Sequence, residues 1–494
     1  MSMLLAWCVG CVAVFQPAGS GAGPSAPMVS AVVGADGVPG DLAAYVARDD
    51  GAFSWKHEST FQGDGVTVYH LRMTSQKWRT EAEVDHPLWT HWVSVAVPDR
   101  VEHSTGILLI GGGRRRAEPV AVPPAEMLMI VRGSGAVVVH VDNVPNQPLV
   151  FAGETRERFE DGLLAHTWNL AMASGEAEWI GRFPMVKSAV RAMDAAEAFL
   201  KEGPEGGFTG PAERAGAGPR VDGWFVTGAS KRGWTAWLTA AVDGRVKAIA
   251  PIVIDVLNLP AQTPHHFASY GFWAPALKDY EEAGVARKFG TPELNAVIRH
   301  EDPLSYMPRL TMPKYIVTAG GDEFFPADSA RHYVDAVSPE WRMRTVPNAG
   351  HNLRGSAAPL EVLGFYKAFV RGVPRPEVAW THRVETRDGV EADVLEVRVG
   401  AEPVMVQAWR VDNPKARDFR IGETGRTWTA ERLSAVDEGG RVFVARVPRP
   451  AEGWRAYFVE CVFAGGKATD PAMVFTTRVY VTPDTLPFAG VKPE

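Results

Sequence analysis

The chain has 494 residues, too many for one ordinary hydrophobic core, and its 46% hydrophobic and 22% charged content is that of a globular protein. With 51 basic against 58 acidic residues the formal charge is −7, which excludes the basic footprint of a nucleic-acid-binding protein. Sixteen tryptophans serve either large cores or pockets for flat or sugar-like ligands.

In chain order, the first segment reads as an address. MLLAWCVGCVAVF (3–15) is an apolar run followed by small residues and proline, so residues 1–25 are read as a signal peptide and the protein as exported, to the periplasm or outside the cell. The run is too short for a stable bilayer span, and no later segment has the ~18–20 apolar residues one needs. Gly10-Cys11 has the outline of a lipoprotein site, but the apolar run continues past it and the upstream leucine is missing. Soluble export is therefore preferred to lipid anchoring. Cys8 and Cys11 fall in this leader, so the mature chain keeps Cys461 alone, with no internal disulfide and no multi-cysteine metal site.

The middle of the chain alternates strands and helices. VTVYHLRM (66–73), HWVSVAV (91–97), GILLIGGG (106–113) and AVVVHVD (136–142) read as strands, and MDAAEAFLKE (193–202) has helical spacing. Strand GWFVTG (223–228), a helix over 231–243 and strand VKAIAPIVID (246–255) follow. After an aromatic-rich insertion at about 259–312 come strand KYIVTAG (314–320), a helix over 327–337, strand WRMRTVP (341–347) and a helix over 359–370. Near-continuous apolar strands alternating with helices predict a mostly parallel sheet covered on both faces. From about Pro374 the pattern becomes short alternating strands separated by turn residues, which predicts an antiparallel β-sandwich over 374–494. Residues 40–373 are expected to contain a complete core.

The chemistry gathers at TGASKRGWT (227–235), where a strand meets a helix at Ser230. Strand, sharp turn and helix make a nucleophile elbow, whose strained serine needs small neighbours. Gly228 stands two residues before, but the following glycine is Gly233, giving G-x-S-x-x-G. A plain helix N-cap has the same signature. The elbow needs a base and an orienting carboxylate in the order Ser, acid, His at strand ends. Asp322 ends one strand in GGDEFFP and His351 ends the next in NAGHNLRG. Asp255, ending PIVID, is the alternative acid, or else a turn residue bonding local amides. The oxyanion donors are expected from the amide of Lys231 and from the loop Gly111, Gly112, Gly113. No G-K-S/T follows that loop, so it is not read as a phosphate loop.

Around these residues, GASKRGWTAWLTAAVDGRVKAIAPIVID, LAAYVARDDGAFSWKH and TAGGDEFFPADSARHYVDAV resemble the PhoPQ-activated pathogenicity-related family over roughly 40–480. The resemblance implies an exported α/β-hydrolase-like protein with a C-terminal β domain, and gives no substrate. The elbow is also similar to the G-C-S-R-x-G-K of glucuronoyl esterases. Ala229, Lys231 and Trp234 depart from that pattern, so its substrate class does not carry over.

The expected fold is an α/β-hydrolase with a cap insertion plus a C-terminal antiparallel β-sandwich. The expected function is a serine hydrolase, esterase ahead of peptidase, acting on a small-molecule or glycan- or peptide-linked acyl substrate without cofactor or metal. Arg114, Trp234, Trp273 and His266 are the candidates to touch substrate. Arg114 to Arg116 form either a carboxylate site or a solvated loop, and Tyr270, Phe272 and Trp273 are read as cap packing ahead of a substrate platform. The alternative is a catalytically idle secreted signalling or binding protein on the same scaffold.

Overall fold

The computed structural model describes residues 28–492 apart from 64, 121–124, 206 and 209–217. The leader read over 1–25 lies outside the described residues. Nine strands form one sheet: β1 (Ser54–Gly63), β2 (Val66–Lys77), β3 (Leu88–Pro98), β4 (Thr105–Ile110), β5 (Val138–Val141), β6 (Gly223–Ala229), β7 (Val246–Ile252), β8 (Lys314–Ala319) and β9 (Trp341–Val346). Their spatial order is β1-β2-β3-β5-β4-β6-β7-β8-β9. Pairs up to β3–β5 are antiparallel, and those from β5–β4 to β8–β9 are parallel.

The strands alternate between two apolar layers, as the pleat requires. Leu108, Val226 and Ile316 enter the core under the helices Glu160–Ser174, Arg182–Glu202 and Lys231–Val242. Ile107, Phe225 and Tyr315 enter the opposite core, under the helix Ala358–Val370. The first strand, SWKHESTFQG, is polar on its outer face because it is the sheet edge, which is why its sequence carries little strand signal.

Two expectations are corrected. The helix read over 327–337 is a pair of 3₁₀ turns, Ser329–His332 and Val334–Ala336. Asp328 is fixed there by a buried pair with Arg417 at 2.7 Å, and Tyr333 is buried beside Asp255, so tertiary anchors override the helical period. The helix read at 193–202 extends back to Arg182.

The C-terminal strands are β10 (Val378–Arg387), β11 (Val390–Val399), β12 (Met405–Asn413), β13 (Thr429–Arg432), β14 (Val442–Pro448), β15 (Trp454–Phe463), β16 (Met473–Thr476) and β17 (Tyr480–Thr482). They form antiparallel sheets ordered β10-β11-β14 and β13-β12-β15-β16, with β17 on β15. These sheets share a core with the helical layer: Val459, Cys461 and Phe475 lie in the same apolar cluster as Tyr315 and Phe365. Tyr315 Oη donates to Val474 O at 2.8 Å, and Thr345 N donates to Thr476 Oγ1 at 3.0 Å. Buried Arg344 bonds Glu361 at 2.7 Å and Glu460 at 2.6 Å. Among the described residues no helix is long and apolar enough to cross a membrane.

Candidate active site

Ser230 stands between β6 and the helix Lys231–Val242 with φ 57° and ψ −130°, and its side chain makes no capping bond. A non-glycine residue so placed costs about 1–3 kcal/mol and persists only where its surroundings hold it. Here Ser230 N donates to Ile252 O at 2.8 Å and Ser230 O accepts from Trp234 N at 3.0 Å. The glycines follow from close approach. A Cβ on Gly228 would sit 2.8 Å from Arg232 O, and one on Gly233 would sit 2.8 Å from Gly228 O. The first helical turn lies directly on the strand end, so the second small residue is needed at 233.

Asp322 follows β8 and His351 follows β9. Nδ1 of His351 is 3.0 Å from both oxygens of Asp322. Asp322 also accepts from Phe324 N at 2.8 Å, and His351 N donates to Glu323 Oε2 at 2.6 Å. The Phe324 ring packs 4.4 Å from the imidazole. Nε2 of His351 is buried and has no partner among the described residues. Such a ring is fixed in direction, with the carboxylate selecting the tautomer that leaves Nε2 free to accept a proton.

Asp255 has no recorded bond to this histidine. Burial pushes its carboxyl up to about 7, against the pull of the adjacent Tyr333 hydroxyl and with help from the Asp322 and Asp328 charges. A carboxyl so poorly solvated is a weak partner for an imidazolium. On geometry Asp322 is the acid that meets His351.

The loop after β4 is shaped by what lies behind it. A Cβ on Gly111 would strike the His140 ring, and one on Gly112 would lie 2.6 Å from the Arg232 guanidinium. Gly111 N already donates to Val141 O at 2.8 Å, continuing the sheet ladder, so Gly111 is removed from the set of oxyanion donors. The amides of Gly112 and Gly113 have no acceptor among the described residues.

Behind the elbow lies an ion cluster that sequence reading missed. Glu160 opens the helix Glu160–Ser174 with φ 47°. Both its oxygens are 2.7 Å from Arg232, one is 2.9 Å from Lys231 Nζ, and its N–H donates to Gln147 Oε1 at 2.7 Å. These cations hold its carboxyl down at about 2 despite burial. Lys231 Nζ is also 3.2 Å from Asp161. The ammonium of Lys231 is thus neutralised by two carboxylates, and its amide is the group left for an oxyanion. The signal in sequence was two cations following the serine with no acid nearby, which required partners from a distant segment.

A cavity of about 70 Å³ opens beside Ser230, walled by Trp168, Trp234, Tyr280, Phe289, Phe324 and Phe325. Of the substrate candidates only Trp234 lines it. Arg114 is exposed, its guanidinium 5.5 Å from the Phe159 ring, and it does not line the cavity. Trp273 belongs to a small apolar cluster of the cap with Phe267 and Ala286, and buried His266 stacks on it at 5.3 Å. Burial drives the His266 imidazole down to about 3, so it stays neutral. Arg420 lies 5.3 Å from the rings of both Tyr270, which is buried, and Phe272, which is exposed. Arg116 is paired with Asp142, and Arg115 is half-buried. Among the described residues no group of three or more His, Cys, Asp or Glu is placed to hold a metal ion.

The C-terminal part walls the acid and base loops. Ile421 N donates to Gly321 O at 2.9 Å, and a Cβ on Gly350 would lie 2.9 Å from Ile421 Cγ2. Trp428 packs on Gly320 and exchanges two bonds with Asn348, while Arg426 donates to Asn348 O at 2.6 Å.

The strand order, with an antiparallel end on a parallel sheet, an elbow serine after β6, an acid after β8 and a histidine after β9, is that of an α/β-hydrolase. The chain belongs to the PhoPQ-activated pathogenicity-related protein family, whose model matches residues 42–420. It is 33% identical over 468 residues, 90% of this chain and 91% of the relative, to autocrine proliferation repressor protein A of Dictyostelium discoideum. Among solved structures, an acetyl xylan esterase from Paenibacillus sp. R4 is similar at TM-score 0.45 and 14% identity, covering 66% of this chain and 92% of that one. Acetyl xylan esterase 1 from a Thermoanaerobacterium sp. is similar at TM-score 0.42 and 13% identity, covering 64% and 90%.

Proposed function

We propose that the protein is an exported serine hydrolase that cleaves an ester through an acyl-enzyme. The observation that carries this reading is the His351 imidazole, gripped at Nδ1 by both Asp322 oxygens with Nε2 buried and unpartnered, together with a strained serine that caps nothing. Ser230 Oγ attacks the carbonyl carbon and His351 Nε2 takes its proton. The amides of Lys231 and of Gly112 or Gly113 take the developing oxyanion. The bond to the leaving oxygen then breaks, and His351 returns the proton to it. Water, deprotonated by His351, attacks the acyl-serine; the bond from the acyl carbon to Ser230 Oγ breaks, His351 returns the proton to Oγ, and the acid is released.

A second reading, a secreted signal or binding protein on the hydrolase scaffold, is favoured by the name of the Dictyostelium relative. A fluorophosphonate probe separates the two. The enzyme reading expects one label per chain, lost in Ser230→Ala with the melting temperature little changed. Absence of label on a folded wild-type chain supports the signalling reading.

A further inference from the structure

The cavity beside Ser230 has a polar floor that the acyl-transfer chemistry leaves unused. Ser230 and Trp234 stand one helical turn apart, about 5.4 Å along the axis. Both line the cavity, and so does Arg182. The Arg182 guanidinium carbon lies 3.5 Å from the centroid of the Trp234 ring, on the cavity that Ser230 also lines. Arg182 is 1% exposed. Its Nε is 3.2 Å from Glu301 Oε2 in an ion pair that lacks hydrogen-bond geometry, and neither its buried Nε nor its buried Nη1 donates a hydrogen bond among the described residues. A guanidinium carries five donors in one plane, and a buried donor left without an acceptor is destabilising because its desolvation is not repaid.

The other charges on the wall are matched. Lys231 is paired with Glu160 and Asp161, and the Tyr280 hydroxyl donates to Asp161 at 3.3 Å. The remaining surface is ring and aliphatic carbon. At about 70 Å³ the cavity is small. With roughly 10–15 Å³ for each water-sized group, it takes about five to seven heavy atoms.

We propose that Ser230 accepts a short acyl group, of about five to seven heavy atoms, whose far end carries an oxygen acceptor (hydroxyl, ketone or carboxylate) held by Arg182. This rests on the serine-hydrolase reading above. A tail that brings no acceptor leaves the guanidinium unpaired, and a site built to bond a polar group rejects the analogue lacking it far more strongly than an apolar pocket rejects an extra methylene.

The test has two stages on the full chain. Labelling by a fluorophosphonate tagged on its alkoxy arm comes first, and its failure overturns the hydrolase reading itself. Values of kcat/KM are then compared for p-nitrophenyl butanoate, 3-hydroxybutanoate, hemisuccinate and octanoate. The inference expects at least one oxygen-tipped ester to exceed butanoate by tenfold or more, about what one well-placed hydrogen bond supplies, and octanoate to fall below butanoate. In Arg182→Met the ratio of oxygen-tipped to plain ester collapses towards one. Because that change leaves Glu301 without its partner, the Arg182→Met/Glu301→Gln pair is read alongside, and the same collapse is expected. Labelling with equal turnover of tipped and plain esters overturns the acyl assignment and leaves the nucleophile assignment standing. So does efficient octanoate cleavage, or labelling with no turnover of any of the four.

Discussion

Asn348 and Trp428 hold each other across the junction of the two parts of the chain: Asn348 Nδ2 donates to Trp428 O at 3.0 Å and Trp428 N donates to Asn348 Oδ1 at 2.9 Å. Asn348 stands three residues before His351, so the loop that delivers the base is held by a residue from the C-terminal β part. Ending the chain at residue 373 should therefore remove the wall of the acid and base loops as well as half of a shared core. The expected outcome is a product that lacks a cooperative thermal transition and any fluorophosphonate labelling. A folded, labelled fragment 28–373 would show that the hydrolase part is self-sufficient.

Trp428→Ala tests the same contact more finely. It should lower kcat about tenfold through loss of imidazole orientation, with KM little changed, and Trp428→Phe should recover most of the loss. The discriminating readout is the pH profile of kcat, whose acidic limb should move in Trp428→Ala if the base is reoriented. A purely structural effect would lower Tm and leave that limb in place.

Much of this site was legible in sequence. The serine junction, Asp322 and His351 each sit where an apolar strand ends, so strand periodicity alone put them on one rim of the sheet. The partners were not. Glu160 is 70 residues before Ser230, Arg182 begins a helix whose sequence signal appeared only from 193, and Ile421 and Trp428 lie far along the chain between β12 and β13. Local pattern reports which face a residue takes, and pairing across such distances is set by packing. Gly111 shows the same limit: the run of three glycines was readable, but which amide the β4–β5 ladder consumes was not.

The choice of acid is the sharpest prediction about wiring. Asp322→Asn should lower kcat by about 10⁴-fold, the size of the loss when the triad aspartate of a serine protease is changed to asparagine. Asp255→Asn should stay within about tenfold, since its carboxyl has no recorded bond to the imidazole. Steady-state kinetics on one active ester decides it, and a reversed order would assign the acid to the end of β7.

Asp255 should instead be visible in stability. Its carboxyl is raised from 3.8 to about 7 by burial, so the folded state keeps a proton that the unfolded chain has released. The contribution is full below about pH 4 and is lost as pH rises through 7, with a slope of up to about 1.4 kcal/mol per pH unit. Asp255→Asn lacks that dependence. Its Tm relative to wild type should rise from pH 5 to about pH 7 and level off above it, whereas a constant difference would show that the carboxyl is ionised throughout.

Arg344 binds the two parts energetically. Removing it leaves Glu361 and Glu460 buried without their cation, and breaking such a pair costs about 3–5 kcal/mol. Arg344→Met should lower the denaturation midpoint accordingly, with the helical and β parts still unfolding in one transition. Two separated transitions would contradict a shared core.

The central claim is that Ser230 becomes acylated. The direct measurement is to mix the protein with p-nitrophenyl acetate, quench in acid within milliseconds, digest, and locate the acetyl group by mass spectrometry. The account predicts a burst of one product per chain and an acetyl ester on the peptide carrying Ser230, with burst and turnover both lost in Ser230→Ala. Steady turnover without a burst, no acyl group on that peptide, and an undiminished rate in Ser230→Ala would contradict it.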